Sequence, residues 1–120
     1  MRKQLSPIDS FGNGKLETFS FNLDVPGPPR NVEITDWDTN RVELKWMKPM
    51  LDGGSPITNY VIECKEKFSS DWVKCHMTDG PETEAKVTDV IKAGKSYEFR
   101  VRAVNKAGPG EPSSPSEQVN

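Results

Sequence analysis

Trp46-Met47-Lys48-Pro49-Met50-Leu51-Asp52-Gly53-Gly54-Ser55-Pro56-Ile57-Thr58-Asn59-Tyr60-Val61-Ile62-Glu63 sets a large aromatic residue, a tight turn and a new strand at fixed offsets. Before the turn, Val42, Leu44 and Trp46 alternate with Glu43 and Lys45, the period of a half-buried strand. After it, Tyr60, Ile62 and Cys64 alternate with Val61, Glu63 and Lys65. Between the two runs, Gly53 and Gly54 can take backbone angles closed to other residues, and Pro56 pushes Ser55 toward an extended conformation from which a strand can start. The pattern is strand, loop, strand, and it is incompatible with a helix.

Working outward, apolar residues recur at every second position, with no sustained helical period. Seven strands are expected, at about 29–36, 41–47, 57–66, 71–77, 84–90, 95–105 and 113–119. Their even spacing predicts an all-β antiparallel sandwich. The inward positions are Trp46, Tyr60, Ile62, Tyr97, Phe99 and Val101, closed by Ile34, Val42, Leu44, Val87 and Ile91. Truncating a buried aromatic typically costs ~3 to 5 kcal/mol, so Trp46→Ala is expected to threaten folding by itself. Tyr97 follows Gly94-Lys95-Ser96 at the start of its strand, where a sandwich places a tyrosine whose hydroxyl bonds back to upstream backbone. In Val87-Thr88-Asp89-Val90-Ile91, either Val90 or Ile91 plugs the core.

With these residues in place the chain resembles a fibronectin type III domain, of the subtype found in the titin, twitchin and projectin family of giant sarcomeric proteins. The residues that carry the resemblance are Pro49, Asp52, Gly53, Gly54, Ser55, Pro56, Ile57, Tyr60 and Glu63. Val25-Pro26-Gly27-Pro28-Pro29 resembles the usual opening of such a domain, Tyr97, Phe99, Val101 and Ala103 its penultimate strand, and Asn105 to Ser113 the turn between its last two strands. The resemblance implies a seven-stranded immunoglobulin-like sandwich over residues 29–120. The resemblance covers roughly the last four fifths of the chain, and the first two dozen residues lie outside it.

Length and composition set the bounds. A chain of 120 residues holds one core, and a second folded unit is not expected. A charged fraction of 28% suits a sandwich that solvates one face of each sheet. The formal net charge of -2, with no cluster of Lys and Arg, argues against nucleic acid as a partner. No apolar run is long enough to span a bilayer, and Met1 to Leu5 leads into Ser6, Pro7 and Asp9 rather than the apolar centre of a signal peptide. The expectation is a soluble chain with neither membrane nor secretion signal.

Residues 1–24 differ in composition from the rest. Asn13-Gly14 is a turn signal, and Phe19, Phe21 and Leu23 alternate with Ser20, Asn22 and Asp24. The stretch reads either as a flexible extension or as the last turn and last strand of a preceding immunoglobulin-type domain, the neighbour that the family resemblance implies. Residues 25–28 read as a stiff proline-rich linker. Pro26-x-x-Pro29 formally fits a docking motif for proline-binding modules, but four residues at the start of a domain are more often a spacer.

No constellation for chemistry assembles. His76 is the only histidine, which leaves a hydrolytic triad or a metal cluster without members. Asp36-Trp37-Asp38-Thr39-Asn40 imitates the opening of a calcium loop, yet Arg41 stands where glycine is required and Met47 where the bidentate glutamate belongs. A turn between two strands explains the same letters. Gly12-x-Gly14 and Gly108-x-Gly110 lack the strand-to-helix context of a phosphate loop. If the hairpin turns around Ser69 and Ser70, Cys64 and Cys75 lie roughly opposite each other; they are expected as free thiols in a reducing cytosol, with an oxidised form within reach. Arg100 and Arg102 point outward beside Glu63, a charge ladder that offers a candidate interaction face.

These readings predict no catalytic, cofactor-binding or metal residues and no cofactor. The resemblance implies a non-catalytic structural and interaction module of a giant muscle filament protein, monomeric in isolation, cytoplasmic and sarcomeric in the A-band. It also implies neighbouring immunoglobulin-type and fibronectin type III domains and myosin or other thick-filament proteins as partners, with a kinase domain in the parent as a further family trait. An extracellular adhesion or receptor module is the alternative, since fold alone does not fix function. The chain contains no Asn-x-Ser/Thr acceptor and no Arg-Gly-Asp loop.

Overall fold

The computed structural model describes residues 23–88 and 94–117. Seven β-strands follow one another: β1 (Arg30–Asp38), β2 (Arg41–Met47), β3 (Asn59–Glu66), β4 (Val73–Met77), β5 (Glu84–Val87), β6 (Tyr97–Asn105) and β7 (Gly108–Pro112). They form a three-stranded sheet in the order β1-β2-β5 and a four-stranded sheet in the order β4-β3-β6-β7, with every neighbouring pair antiparallel. This is the expected all-β sandwich, and no helix occurs among the described residues.

Period-two alternation builds the core. Along β6, Tyr97, Phe99, Val101, Ala103 and Asn105 are buried while the residues between them are partly exposed. β2 contributes Val42, Leu44 and Trp46, and β3 contributes Tyr60, Ile62 and Cys64; Val87 closes the far side. Val32, Ile34 and Ile57 pack against this cluster from its margin and are only partly buried. Trp46 meets Tyr60 edge to face, with centroids 5.3 Å apart and planes at 66°, a geometry worth ~0.5 to 1.5 kcal/mol beyond the area buried. Among the described residues, Trp46 Nε1 is the one buried side-chain donor without a hydrogen-bond partner. Val90, Ile91 and residues 1–22 lie outside the described residues, so the core plug and the strand pattern at Phe19 and Phe21 do too.

The loop that decides the fold is held by its own aspartate. Gly54 N donates to Asp52 Oδ1 at 2.9 Å, and Gly53 and Gly54 take φ of 78° and 93°. Thr39 and Asn40 alone turn β1 into β2, with Asn40 N donating to Asp38 Oδ1 at 3.0 Å. The imitation of a calcium loop is therefore this turn together with the end of β1.

Two expectations are corrected. The stretch 25–28 is not a free-standing linker: Asp24 N donates to Gly53 O at 2.9 Å, Gly27 N to Leu51 O at 3.0 Å, and Glu111 N to Pro26 O at 3.3 Å. Pro26 is fully buried. Asn105 clamps the same segment, donating from Nδ2 to Asp24 O at 2.8 Å and to Asp52 O at 2.7 Å. Proline stiffness lowers the entropy lost on docking, which is why a sequence that looks like a spacer sits down on the domain.

The last strand is not 113–119 but Gly108–Pro112, immediately after Lys106 and Ala107 turn the chain. Prolines are tolerated on an edge strand, where the missing N–H would face solvent. Beyond Pro112 the chain still runs along β6. Ser113 N donates to Val101 O at 2.8 Å and Ser116 N to Phe99 O at 2.7 Å. In return, Val101 N donates to Ser113 Oγ at 3.0 Å and Phe99 N to Ser116 Oγ at 3.1 Å. Two serine hydroxyls thus replace the backbone carbonyls of a regular ladder.

Candidate interaction surface

The β3–β6 register pairs Val61 with Arg102, Glu63 with Arg100 and Lys65 with Glu98, which collects their side chains on the outer face of the four-stranded sheet. There one carboxylate holds two guanidinium groups. Arg100 Nε donates to Glu63 Oε1 at 2.6 Å, and Arg102 Nε donates to Glu63 Oε2 at 3.1 Å. Arg102 Nη1 also donates to Gly110 O at 2.8 Å, tying β6 to β7. The three side chains are only 16–28% exposed, so this is a covered network rather than the solvent-exposed ladder expected from alternation alone.

Sequence reasoning did not find Trp72. Its ring lies under Arg100, 4.4 Å from the guanidinium carbon, with Lys65 Nζ at 5.8 Å. Cation–π contact of this kind contributes ~0.5 to 1 kcal/mol at an exposed site. Trp72 stands just before β4, although the strand expected at 71–77 included it, and the only sequence signal for its role is a tryptophan opposite a basic strand. With both oxygens of Glu63 committed to arginine, the cluster presents a rigid, flat, mixed-charge surface rather than a free acid or base.

On the opposite sheet Arg41 gathers Asp36, Asp38 and Glu43, with Nη2 to Asp36 Oδ2 at 3.1 Å and Nε to Asp38 Oδ2 at 3.3 Å. The hydrogen bond from the Asn40 backbone holds the Asp38 carboxyl below its ordinary range, helped by Arg41, and Asp36 first among its neighbours raises Arg41. His76, half-buried in β4, lines an acidic cleft of about 520 Å³ with Asp79, Glu82 and Glu84. Among the described residues no three His, Cys, Asp or Glu side chains are grouped to hold a metal ion.

A third surface lies where the chain begins to pack. Leu23, Met50 and Leu51 are exposed there, beside a groove of about 420 Å³ formed with Pro49, Asp52 and Ile57. Backbone bonds from Asp24 to Gly53 and from Gly27 to Leu51 fasten the leading segment to this same loop. The family motif Pro49 to Ile57 is thus the seat of the incoming chain.

Comparison with known proteins places these features. Residues 27–119 match the model of the fibronectin type III domain. The chain is 43% identical over 112 residues to human myosin-binding protein C, fast-type, covering 93% of this chain and 10% of that protein. It is 32% identical over 113 residues to human myomesin-2, covering 94% of this chain and 8% of that protein. Among solved structures, domains A168–A170 of titin match with a TM-score of 0.74 and 41% identity over 80% of this chain and 32% of that one. The chain therefore spans about a tenth or less of the curated relatives it matches.

Proposed function

Because the chain belongs to the fibronectin type III family, a non-catalytic type of module, and because its relatives are muscle proteins, we propose that it is a structural and interaction bead in a giant muscle filament protein. Its work is spacing and load bearing along the thick filament in the A-band. Its partners are the domains on either side and, weakly, myosin. A kinase domain, if the parent has one, lies elsewhere along the chain.

The observation that carries this reading is the disposition of the two ends. The leading segment is fastened at Asn105, the last residue of β6, whereas the trailing segment leaves beside Phe99 near the start of β6. A strand of that length spans roughly 27 Å, so the chain comes in at one pole of the sandwich and goes out at the other, as a bead in a string requires. Residues 1–24 fit the last strand of an immunoglobulin-type neighbour. The matches to human myosin-binding protein C, fast-type, and to human myomesin-2 cover 93% and 94% of the chain and so extend well before residue 27, where the domain match begins.

Co-sedimentation with myosin tests the proposal, using one, two and several consecutive domains of the parent. Affinity should rise steeply with the number of domains, because modest contacts on a shared filament add through effective concentration. Tight, saturable binding by the single domain at physiological salt would replace the spacer reading with a dedicated site.

A further inference from the structure

Cys64 and Cys75 are free, and the structure sets Val73 rather than Cys75 directly across from Cys64. In the β3–β4 ladder Cys64 pairs with Val73, Glu63 with Lys74 and Ile62 with His76, and the register shift between Ile62 and Glu63 leaves Cys75 as the extra residue. A bulge of this kind turns an additional side chain toward the neighbouring strand's face. Cys64 is buried at 2% exposure, and Cys75 packs against the same core cluster from a half-buried position, its thiol donating to Ile62 O at 3.5 Å. The nearness of the two thiols lowers that of Cys64 and, together with burial, raises that of Cys75.

We propose that Cys64 and Cys75 form an oxidative modification site, at which a small peroxide converts the two thiols into a disulfide joining β3 to β4. The geometry has what the reaction needs: two thiols on neighbouring strands against one core cluster, with the half-buried Cys75 on β4, the edge strand of its sheet among the described residues. The Cys75 sulfur attacks one peroxide oxygen, the O–O bond breaks, and the departing hydroxide takes up the proton lost by Cys75 to leave as water. The Cys64 sulfur then attacks the resulting sulfenic acid. The S–O bond breaks, an S–S bond forms, and the hydroxyl leaves with the Cys64 proton as a second water. Two thiols have been oxidised by two electrons and one peroxide reduced to two waters.

The consequence is a fastening of the edge strand. Ten residues separate the two cysteines, and the hairpin they close would become inextensible, removing roughly 35 Å from the length the chain can reach when unfolded.

Hydrogen peroxide applied to the whole folded chain tests this, with intact mass and a non-reduced peptide map as readouts. Met50, 74% exposed, reports the oxidant dose as its sulfoxide. The expected result is a monomer that loses both free thiols in the same molecules, carries a peptide linked through Cys64 and Cys75, and recovers both thiols on reduction. Cys75→Ser should abolish the linked species, and because Cys75 is only half-buried this variant tests the pair with less risk to the core than Cys64→Ala. Disulfide-linked dimers alone, sulfinic acid on one cysteine, or two intact thiols after Met50 is fully oxidised would each overturn the proposal.

Discussion

Glu63 balances two arginines with a single carboxylate, and its neutralisation would leave Arg100 and Arg102 side by side without a counter-charge. Glu63→Gln should lower stability by about 1 to 3 kcal/mol, the range for hydrogen bonds to charged groups that are largely covered. Urea titration measures it, and a loss under half a kilocalorie, about 0.5 kcal/mol as for exposed pairs, would show the network to be dispensable. The three charges were legible in the sequence, because alternation along neighbouring strands puts them on one face. Trp72 was not: the strand expected at 71–77 included it, but β4 begins only at Val73, so the alternation that places a strand residue does not set where its ring lies. Tyr60 carries part of the pH dependence at the alkaline end, beside the raised Cys75 thiol. Burial raises its phenol above the ordinary value of 10.0, so the folded state retains the proton longer than the unfolded chain does. That contribution is fully present below pH ~10 and is lost as pH rises through the folded value. Tyr60→Phe should therefore flatten the fall in thermal midpoint above pH ~10, and an unchanged slope would assign the alkaline loss to other groups.

At the scale of elements, the trailing segment shows how a chain with prolines can still complete a sheet. Ser113 and Ser116 each accept a backbone N–H and donate their own N–H to a carbonyl of β6. Replacing either by alanine leaves a buried amide of Val101 or Phe99 unpaired, a cost of about 1 to 3 kcal/mol each. Hydrogen exchange should find those two amides losing protection while Ile62 and the centre of β3 keep theirs. Most strand boundaries followed from alternation, because half-burial writes itself into the sequence at every second residue. The final strand was misplaced for a physical reason: Gly108, Pro109, Gly110 and Pro112 have turn chemistry, and only the sheet edge makes them a strand. Serine as a ladder partner leaves no periodic trace either.

For the molecule as a whole, the leading segment is the part whose role the sequence hid. Proline-rich composition is the same whether a segment spans or docks, and only the carbonyls of Gly53 and Leu51 and the amide of Asn105 reveal which it does. Gly53 lies at φ 78°, and a Cβ there would collide with the Asp24 carbonyl and the Asn105 amide. Gly53→Ala should cost more than ~1 kcal/mol and release the segment; limited proteolysis before Arg30 should then cut faster than in the parent. A chain beginning at Arg30 should likewise fold with a lower midpoint than one beginning at Leu23. Equal midpoints would return residues 25–28 to the status of a spacer.

The direction in which the two terminal segments run has a mechanical consequence. Pro26 lies against Glu111, and further along Pro28 to Val32 share a groove with Pro112 to Pro115. Residue numbers thus rise together on both, and the segments are parallel neighbours. In the proposed role, tension along the string would pull the leading one toward its own pole and the trailing one toward the other, so they would be dragged past each other in shear instead of being peeled apart bond by bond. Shear loads the fastenings at Gly53, Leu51, Asn105, Ser113 and Ser116 at the same moment. The bead is consequently stiffest along the axis of the string, and a tug applied sideways, at the β4 edge, would open it one bond at a time.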